Sequence, residues 1–398
     1  MGDYPHGVSR TLGESVSGIR EPHRVAIIQD WGIGVEPLYD QYDATQLAFE
    51  DALASGLLDR PVELEVVEVE GLPFRRATTM LKAVEDVVRD FDPIAIIGPH
   101  TSENAPVVKP WAEQAGVPFI AMSGALQMAG PWTFLTPNGT FCDEAILMVD
   151  HAVDVHAAER IGIIREDNLL GDEYAIHLKR RAQARGIAVV ADVALGSFIT
   201  AEDGLKAVER MRASGAQAYM YVGFGATAGA VLAASQELAA DGYDAARITM
   251  SIFMGTIEGL VKMDGPQYGG LISNFEGWIG VDQFDERNEH FIAMLDRFEK
   301  RFDGRRPVHC YTAQGYDMGN VVAHGLAYAK PVSRAGLREG LEQVRRVPAT
   351  VGGPGNVLSF GPYDHRGYKG DYIVMRQILD GQNVLAPVAH HTKSSYVI

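Results

Sequence analysis

Cysteine is nearly absent: the 398 residues hold two, Cys142 and Cys310, far apart in the chain. Two thiols make neither a disulfide framework nor a zinc site, and they read as two half-buried thiols. The histidines show no metal spacing. His390 and His391 are adjacent on a tail, and Glu289-His290 lacks a second ligand at helical spacing, so no metal is expected. No run approaches the roughly 18 apolar residues of a membrane span, so no membrane insertion is expected. Positive charge is scarce too. The net charge is −17 with no basic cluster, a surface that repels phosphate backbones and anionic lipid and excludes nucleic acid as a partner. Residues 1–23 lack the apolar core and small-residue cleavage site of an export signal and read as a flexible polar arm. A native Met1 then implies a cytoplasmic chain; a removed leader implies a periplasmic or extracellular one.

Glycine, by contrast, is plentiful, 43 residues, which points to many tight turns and close backbone approaches. Between the glycines, short β-branched runs alternate with longer amphipathic stretches. Residues 23–30, 62–70, 94–99 and 117–122 read as strands, and 38–56, 76–91 and 104–115 as helices, the first ending at Gly56 and the last followed by Gly116. The rhythm restarts with a helix at 143–157. Strands at 159–167, 187–195, 216–224 and 247–253 then alternate with helices at 173–186, 204–215 and 228–242. Strict alternation means parallel sheets built from βαβ units. Two such runs predict an α/β fold of two doubly wound parallel-sheet lobes. Beyond residue 280 the order changes to helices at 285–302, 311–330 and 333–345. Residues 355–382 follow, where Gly361, Pro362, Asp364 and Gly367 punctuate a β-hairpin-like return.

Three motifs invite a chemical reading. Gly223-Phe224-Gly225-Ala226-Thr227-Ala228-Gly229 follows a strand and opens a helix, as a dinucleotide fingerprint does, but is one residue longer than the usual form. Asp244 lies about 20 residues on, where a ribose-binding acid would stand. The first βα turn, Asp30 to Val35, lacks the fingerprint. The motif therefore reads first as a turn that lets a ligand approach backbone amides, with a nucleotide-dependent oxidoreductase left as an alternative. Ser123 in AMSGA follows a strand, but Ala121 and Ala125 stand where a nucleophile elbow needs glycine. His100 in GPHTSEN falls at the carboxyl edge of a sheet, where α/β proteins bind ligands. Thr101, Ser102 and Asn104 beside it either cap the next helix or line a ligand-contacting turn. Nothing pairs a nucleophile with a base and an orienting group, so no catalytic residue and no cofactor are expected, and the chain reads as a binding protein.

The segment GPHTSENAPVVKPWAEQAGVPFIAMSGA resembles the first-lobe segment of the leucine/isoleucine/valine-binding proteins, which have the type I periplasmic binding fold. ERIGIIREDNLLGDEYAIHLKRRAQARGIAVV is similar to their second-lobe opening, YTAQGYDMGNVVAHGLAYA to a returning helix, and GNVLSFGPYDHRGYKGDYIVMR to the closing segment. The resemblance covers about residues 24–385. It implies two lobes, 24–137 with 276–352 and 138–275 with 353–398, joined by a three-crossing hinge near 136–139, 274–277 and 352–356. It also implies a small-molecule ligand held in the interlobe cleft, and as partner either an ABC permease or, for a cytoplasmic sensor of the amide-sensor type, a regulatory protein.

The departures from the family bear on the ligand. Ser102 matches the serine that holds a ligand carboxylate, but Gly124-Ala125 lacks the family's threonine, and Leu170 before Gly171 replaces a tyrosine. Ser251, Ile252, Phe253 and Met254 stand where an acid holds the ligand ammonium. A buried ammonium without a counter-charge costs several kcal/mol. The candidate ligand residues are Trp31, His100, Thr101, Ser102, Met122, Ser123, Gly124, Leu170, Phe224, Gly225, Phe253, Met254 and Trp278. That lining suits an aromatic or apolar acid or amide better than a free α-amino acid.

Overall fold

The computed structural model describes residues 9–10, 20–30, 39–69, 77–196, 199–223, 227–251, 276–307, 310–379, 382–386 and 391–393. They fall into two compact units. Unit 1 is Met1–Pro137 with Asn288–Lys369, and unit 2 is Asn138–Arg287 with Gly370–Val397.

In unit 1, β1 (9–10), β2 (23–29), β3 (62–68), β4 (95–97), β5 (119–121) and β6 (133–135) form one sheet in the order β1-β3-β2-β4-β5-β6. All pairs are parallel except β1 with β3. Strands covered on both faces need apolar residues at successive positions. Accordingly Val25, Ala26, Ile27 and Ile28 of β2 are all buried, as are all three residues of β4 and of β5. The unit's helices are α1 (39–54), α2 (77–90) and α3 (105–115), and later in the chain α8 (289–301), α9 (310–328) and α10 (334–341). Gly116, in the left-handed region at φ 63°, ends α3. On one side of the sheet Val84, Val108 and Met128 pack with Ile28, Ile96 and Phe119.

In unit 2, β7 (160–166), β8 (188–195), β9 (218–222), β10 (246–249) and β11 (278–282) are parallel. β15 (371–379), β16 (382–385) and β17 (391–393) add to the β11 edge in antiparallel fashion. α4 (141–154) precedes β7, and α5 (169–185), α6 (201–214) and α7 (228–240) run between the successive strands. Cap chemistry sets several boundaries. Asn168 accepts from Gly171 N to start α5, and Thr200 and Asp203 form a reciprocal capping box on α6.

Three differences from the sequence reading have local causes. β6 lies inside PWTFLTP, too short a run to declare itself. The passage expected near 274–277 lies at Arg287–Asn288, because β11 pairs with β10 and so belongs to unit 2. The passage expected near 352–356 lies at Lys369–Gly370. Residues up to 369 include β13 (357–358) and β14 (368–369), which pair with β12 (347–348) in a small sheet of unit 1. The hairpin-like return at 355–382 is thus two structures, and β15 takes β16 as its hairpin partner.

Candidate functional site

Each sheet has one place where successive connections leave in opposite directions, the position at which open α/β sheets bind ligands beyond the strand carboxyl ends. In unit 1 it lies between β2 and β4, and in unit 2 between β7 and β9. A buried carboxylate occupies both.

In unit 1 this is Asp30, the residue after β2. It accepts from His100 N at 2.7 Å, Thr101 N at 3.2 Å, Thr101 Oγ1 at 2.6 Å and Asn104 Nδ2 at 2.6 Å. His100 Nδ1 donates to Ile28 O at 3.0 Å and lies 3.4 Å from Asp30 Oδ1. Burial by itself would push the Asp30 carboxyl up, but the hydrogen bonds and charge of His100, with Thr101, outweigh it and hold the group below its ordinary range. The close approach depends on Gly98, at φ 118°, where a Cβ would sit 2.8 Å from Ile28 O. Thr101 and Asn104 make no side-chain cap to the following helical turns. The capping expected of them is replaced by bonds to Asp30, an acid the sequence reading left in a plain turn.

Next to this network, Ser102 Oγ accepts from Ser123 Oγ and from Gly124 N, both at 3.1 Å, and Ser123 Oγ accepts from Ala125 N at 3.2 Å. A hydroxyl that accepts twice still has its own proton to give. Met122, just after β5, is buried, and its sulfur accepts from Gln41 Nε2 at 3.7 Å. The structure therefore gathers His100, Thr101, Ser102, Met122, Ser123 and Gly124 at one sheet edge.

In unit 2 the carboxylate is Glu166, the last residue of β7. Thr227 Oγ1 donates to it at 2.9 Å and Asn168 Nδ2 at 2.8 Å. The Thr227 proton being committed there, the Tyr221 hydroxyl donates to Thr227 Oγ1 at 2.6 Å. Burial and the charge of Glu166 push the Tyr221 hydroxyl well above its ordinary range. Ser251, at the end of the β10 stretch, gives N (2.8 Å) and Oγ (2.6 Å) to Glu144, whose carboxyl burial raises to about 7. Asp30, Glu166 and Glu144 were not among the candidates. For Asp30 and Glu166 the available signal was an acid at or next to the end of an apolar strand; Glu144, in the first turn of α4, carried none.

Two candidates of unit 2 sit in packing positions. Leu170 is buried in the first turn of α5. Trp278 is fully buried, edge-on to Tyr219 and Tyr221. It opens β11 at the amino end of the parallel strands, the edge opposite the switch point, so it is a core residue and not a ligand contact. Trp31, Phe224, Gly225, Phe253 and Met254 lie outside the described residues. The dinucleotide reading of 223–229 meets two obstacles. A Cβ on Gly229 would meet nothing within 4 Å, whereas the fingerprint's last glycine serves close packing. Asp244 precedes β10 and is exposed, at the wrong end of its strand for a ribose contact. Among the described residues no group of histidine, cysteine and acidic side chains could hold a metal, and no helix is long and apolar enough to cross a membrane.

The family described as periplasmic binding protein matches residues 40–382. No curated protein sequence matches the chain significantly. Solved structures do. The LivJ branched-chain amino acid transporter substrate-binding protein of Streptococcus pneumoniae, in complex with isoleucine, superposes with a TM-score of 0.75 at 15% identity, covering 94% of this chain and 100% of that one. The leucine-binding protein LivK of Thermotoga maritima gives 0.74 at 14% identity, with 92% and 98% covered. An ABC transporter substrate-binding protein of Desulfitobacterium hafniense, in complex with leucine, gives 0.74 at 16% identity, with 92% and 100% covered. At these identities the likeness is one of fold.

Proposed function

The chain belongs to the periplasmic binding protein family, and from that premise we propose that it is the non-catalytic solute-binding component of an importer of the branched-chain amino acid type, taking an aromatic or apolar acid or amide. The observation that carries the ligand class is the hydrogen-bond polarity at the unit 1 switch point. Ser102 Oγ accepts from Ser123 and Gly124, so the proton it has left suits a ligand oxygen, from a carboxylate or an amide. The carboxylates that would hold an ammonium are already engaged: Asp30 by four donors, Glu166 by Thr227 and Asn168, and Glu144 by Ser251. A charged ammonium would enter without a dedicated partner, at a penalty that a few apolar contacts do not offset.

Isothermal titration and thermal shift with leucine, isoleucine, valine and a panel of aromatic acids and amides test this reading. A ligand at 100 times its dissociation constant adds about 2.7 kcal/mol of stability. The expected result is stabilisation by an acid or amide, weakened about tenfold or more in Ser102→Ala through loss of one hydrogen bond to a charged or polar oxygen, with no response to the three amino acids. Micromolar binding of leucine that survives Ser102→Ala would refute the ligand class.

A further inference from the structure

The sheet of unit 2 ends at β8, whose one sheet neighbour among the described residues is β7. An edge strand presents a row of unpaired N–H and C=O groups to an incoming chain, and proteins blunt such edges with short strands, lysine, proline or a covering element. The other outer edges follow that rule. β16 and β17 have four and three residues, β1 has two, and β6, with three, is bridged at Leu135 by Arg366. β8 does not follow it. It runs for eight residues, AVVADVAL, without lysine or proline. Val189, Val190 and Val193 are half-buried, and Val190, the extra residue of a bulge, has no partner on β7.

A groove of about 560 Å³, within the range of built ligand pockets, follows this edge. The connections from β7 to β8 and from β8 to β9 leave in opposite directions, so right-handed crossovers put α5 and α6 on opposite faces of the sheet. Accordingly α5 packs with α4, and α6 with α7. Lys179 lines the groove from α5 and Arg210 from α6. The acid in the groove, Asp192, is already held by Lys179 at 2.6 Å and Arg165 at 2.9 Å. Arg210 is exposed and has no ion-pair partner among the described residues. In a chain of net charge −17, the groove thus offers two cations against one neutralised acid. Ile176, one turn before Lys179 on α5, adds an exposed apolar side chain beside it.

We propose that the β8 edge of unit 2 is a docking strand for an extended acidic segment of another protein. Successive side chains of an added strand point to opposite faces, so neighbouring acids reach Lys179 on one face and Arg210 on the other. The backbone of the segment meanwhile continues the ladder beyond β8. The net negative charge of the rest of the chain is screened beyond about 8 Å at physiological salt, so the cations at the groove decide the sign of the partner. A second copy of the chain fits the edge poorly. Antiparallel pairing of β8 with itself is two-fold symmetric and sets α5 beside α5 and α6 beside α6. Lys179 and Arg210 would then approach their own copies, and like charges oppose pairing.

The test uses the full chain and a fluorescein-labelled peptide, Val-Glu-Glu-Val-Glu-Glu-Val, whose paired glutamates face both ways when extended. Fluorescence anisotropy is expected to show saturable binding below about 1 mM. Binding should be lost when lysine replaces glutamate in the peptide, and when the backbone nitrogens of the peptide are methylated. Arg210→Glu, a change at an exposed side chain without an ion pair, should weaken binding about tenfold or more. Hydrogen exchange should slow at residues 188–195 when peptide is added. No saturable binding, equal binding of the lysine or methylated peptide, or protection at another segment in place of 188–195 would overturn the proposal. So would protection of 188–195 that grows with protein concentration alone, since a second copy would then hold the edge.

Discussion

Asp30 shows how much one side chain can hold at a switch point. Its two oxygens receive the amides of His100 and Thr101, the Thr101 hydroxyl and the Asn104 amide. Asp30→Ala would leave those buried donors unsatisfied, so a loss of about 3 kcal/mol or more is expected in urea unfolding. A loss under about 1 kcal/mol would mean that water replaces the carboxylate there. The folded group titrates below its ordinary range, so its contribution is present above the unfolded value and disappears as pH falls through the folded one. Wild type and Asp30→Asn should therefore converge in stability as pH falls below about 4. The place of His100, Thr101 and Ser102 at the carboxyl edge of the sheet was legible, since they follow an apolar strand. Asp30 was not legible as their anchor, because its partners lie about 70 residues further along the chain.

At the scale of elements, glycine separates tight crossings from open ones. A Cβ on Gly340 in α10 would lie 2.2 Å from Gly325 O in α9, whereas one on Gly229 in α7 would meet nothing within 4 Å. Gly340→Ala should lower stability by about 1–3 kcal/mol through overpacking. Gly229→Ala should be neutral or raise it by up to about 1 kcal/mol, the helix-propensity difference. Equal melting temperatures for the two variants would contradict this account. Element type was readable wherever period and caps agreed, as in α6 with its Thr200–Asp203 box. β6 and β11 escaped notice because neither carries a pattern of its own; sheet neighbours make them strands.

At the scale of the whole molecule, each unit buries an acid that prefers its proton. Burial raises Glu144 in unit 2 and Asp317 in unit 1 to about 7, although Ser251 and Thr350 donate to them. The folded form retains a proton that the unfolded chain releases above about pH 4. Both groups therefore add stability at low pH that is lost as pH rises from about 4 to 7, on the order of 3 kcal/mol for Glu144 and 4 kcal/mol for Asp317 at most. Denaturant midpoints should fall across that window, and Glu144→Gln should remove part of the fall. A wild-type midpoint that stays flat from pH 5 to 7, matching the variant, would show these carboxyls to be hydrated and ionised. The sequence by itself determined the two-unit α/β fold and the family, because strand–helix alternation and cap residues are local properties repeated along nearly the whole chain. Tertiary structure decided where the chain passes between units, that Trp278 is core, and that Asp30 and Glu166 stitch the switch points. Those outcomes depend on which strands become neighbours, and strand pairing joins residues far apart in sequence by backbone hydrogen bonds that carry no side-chain signature.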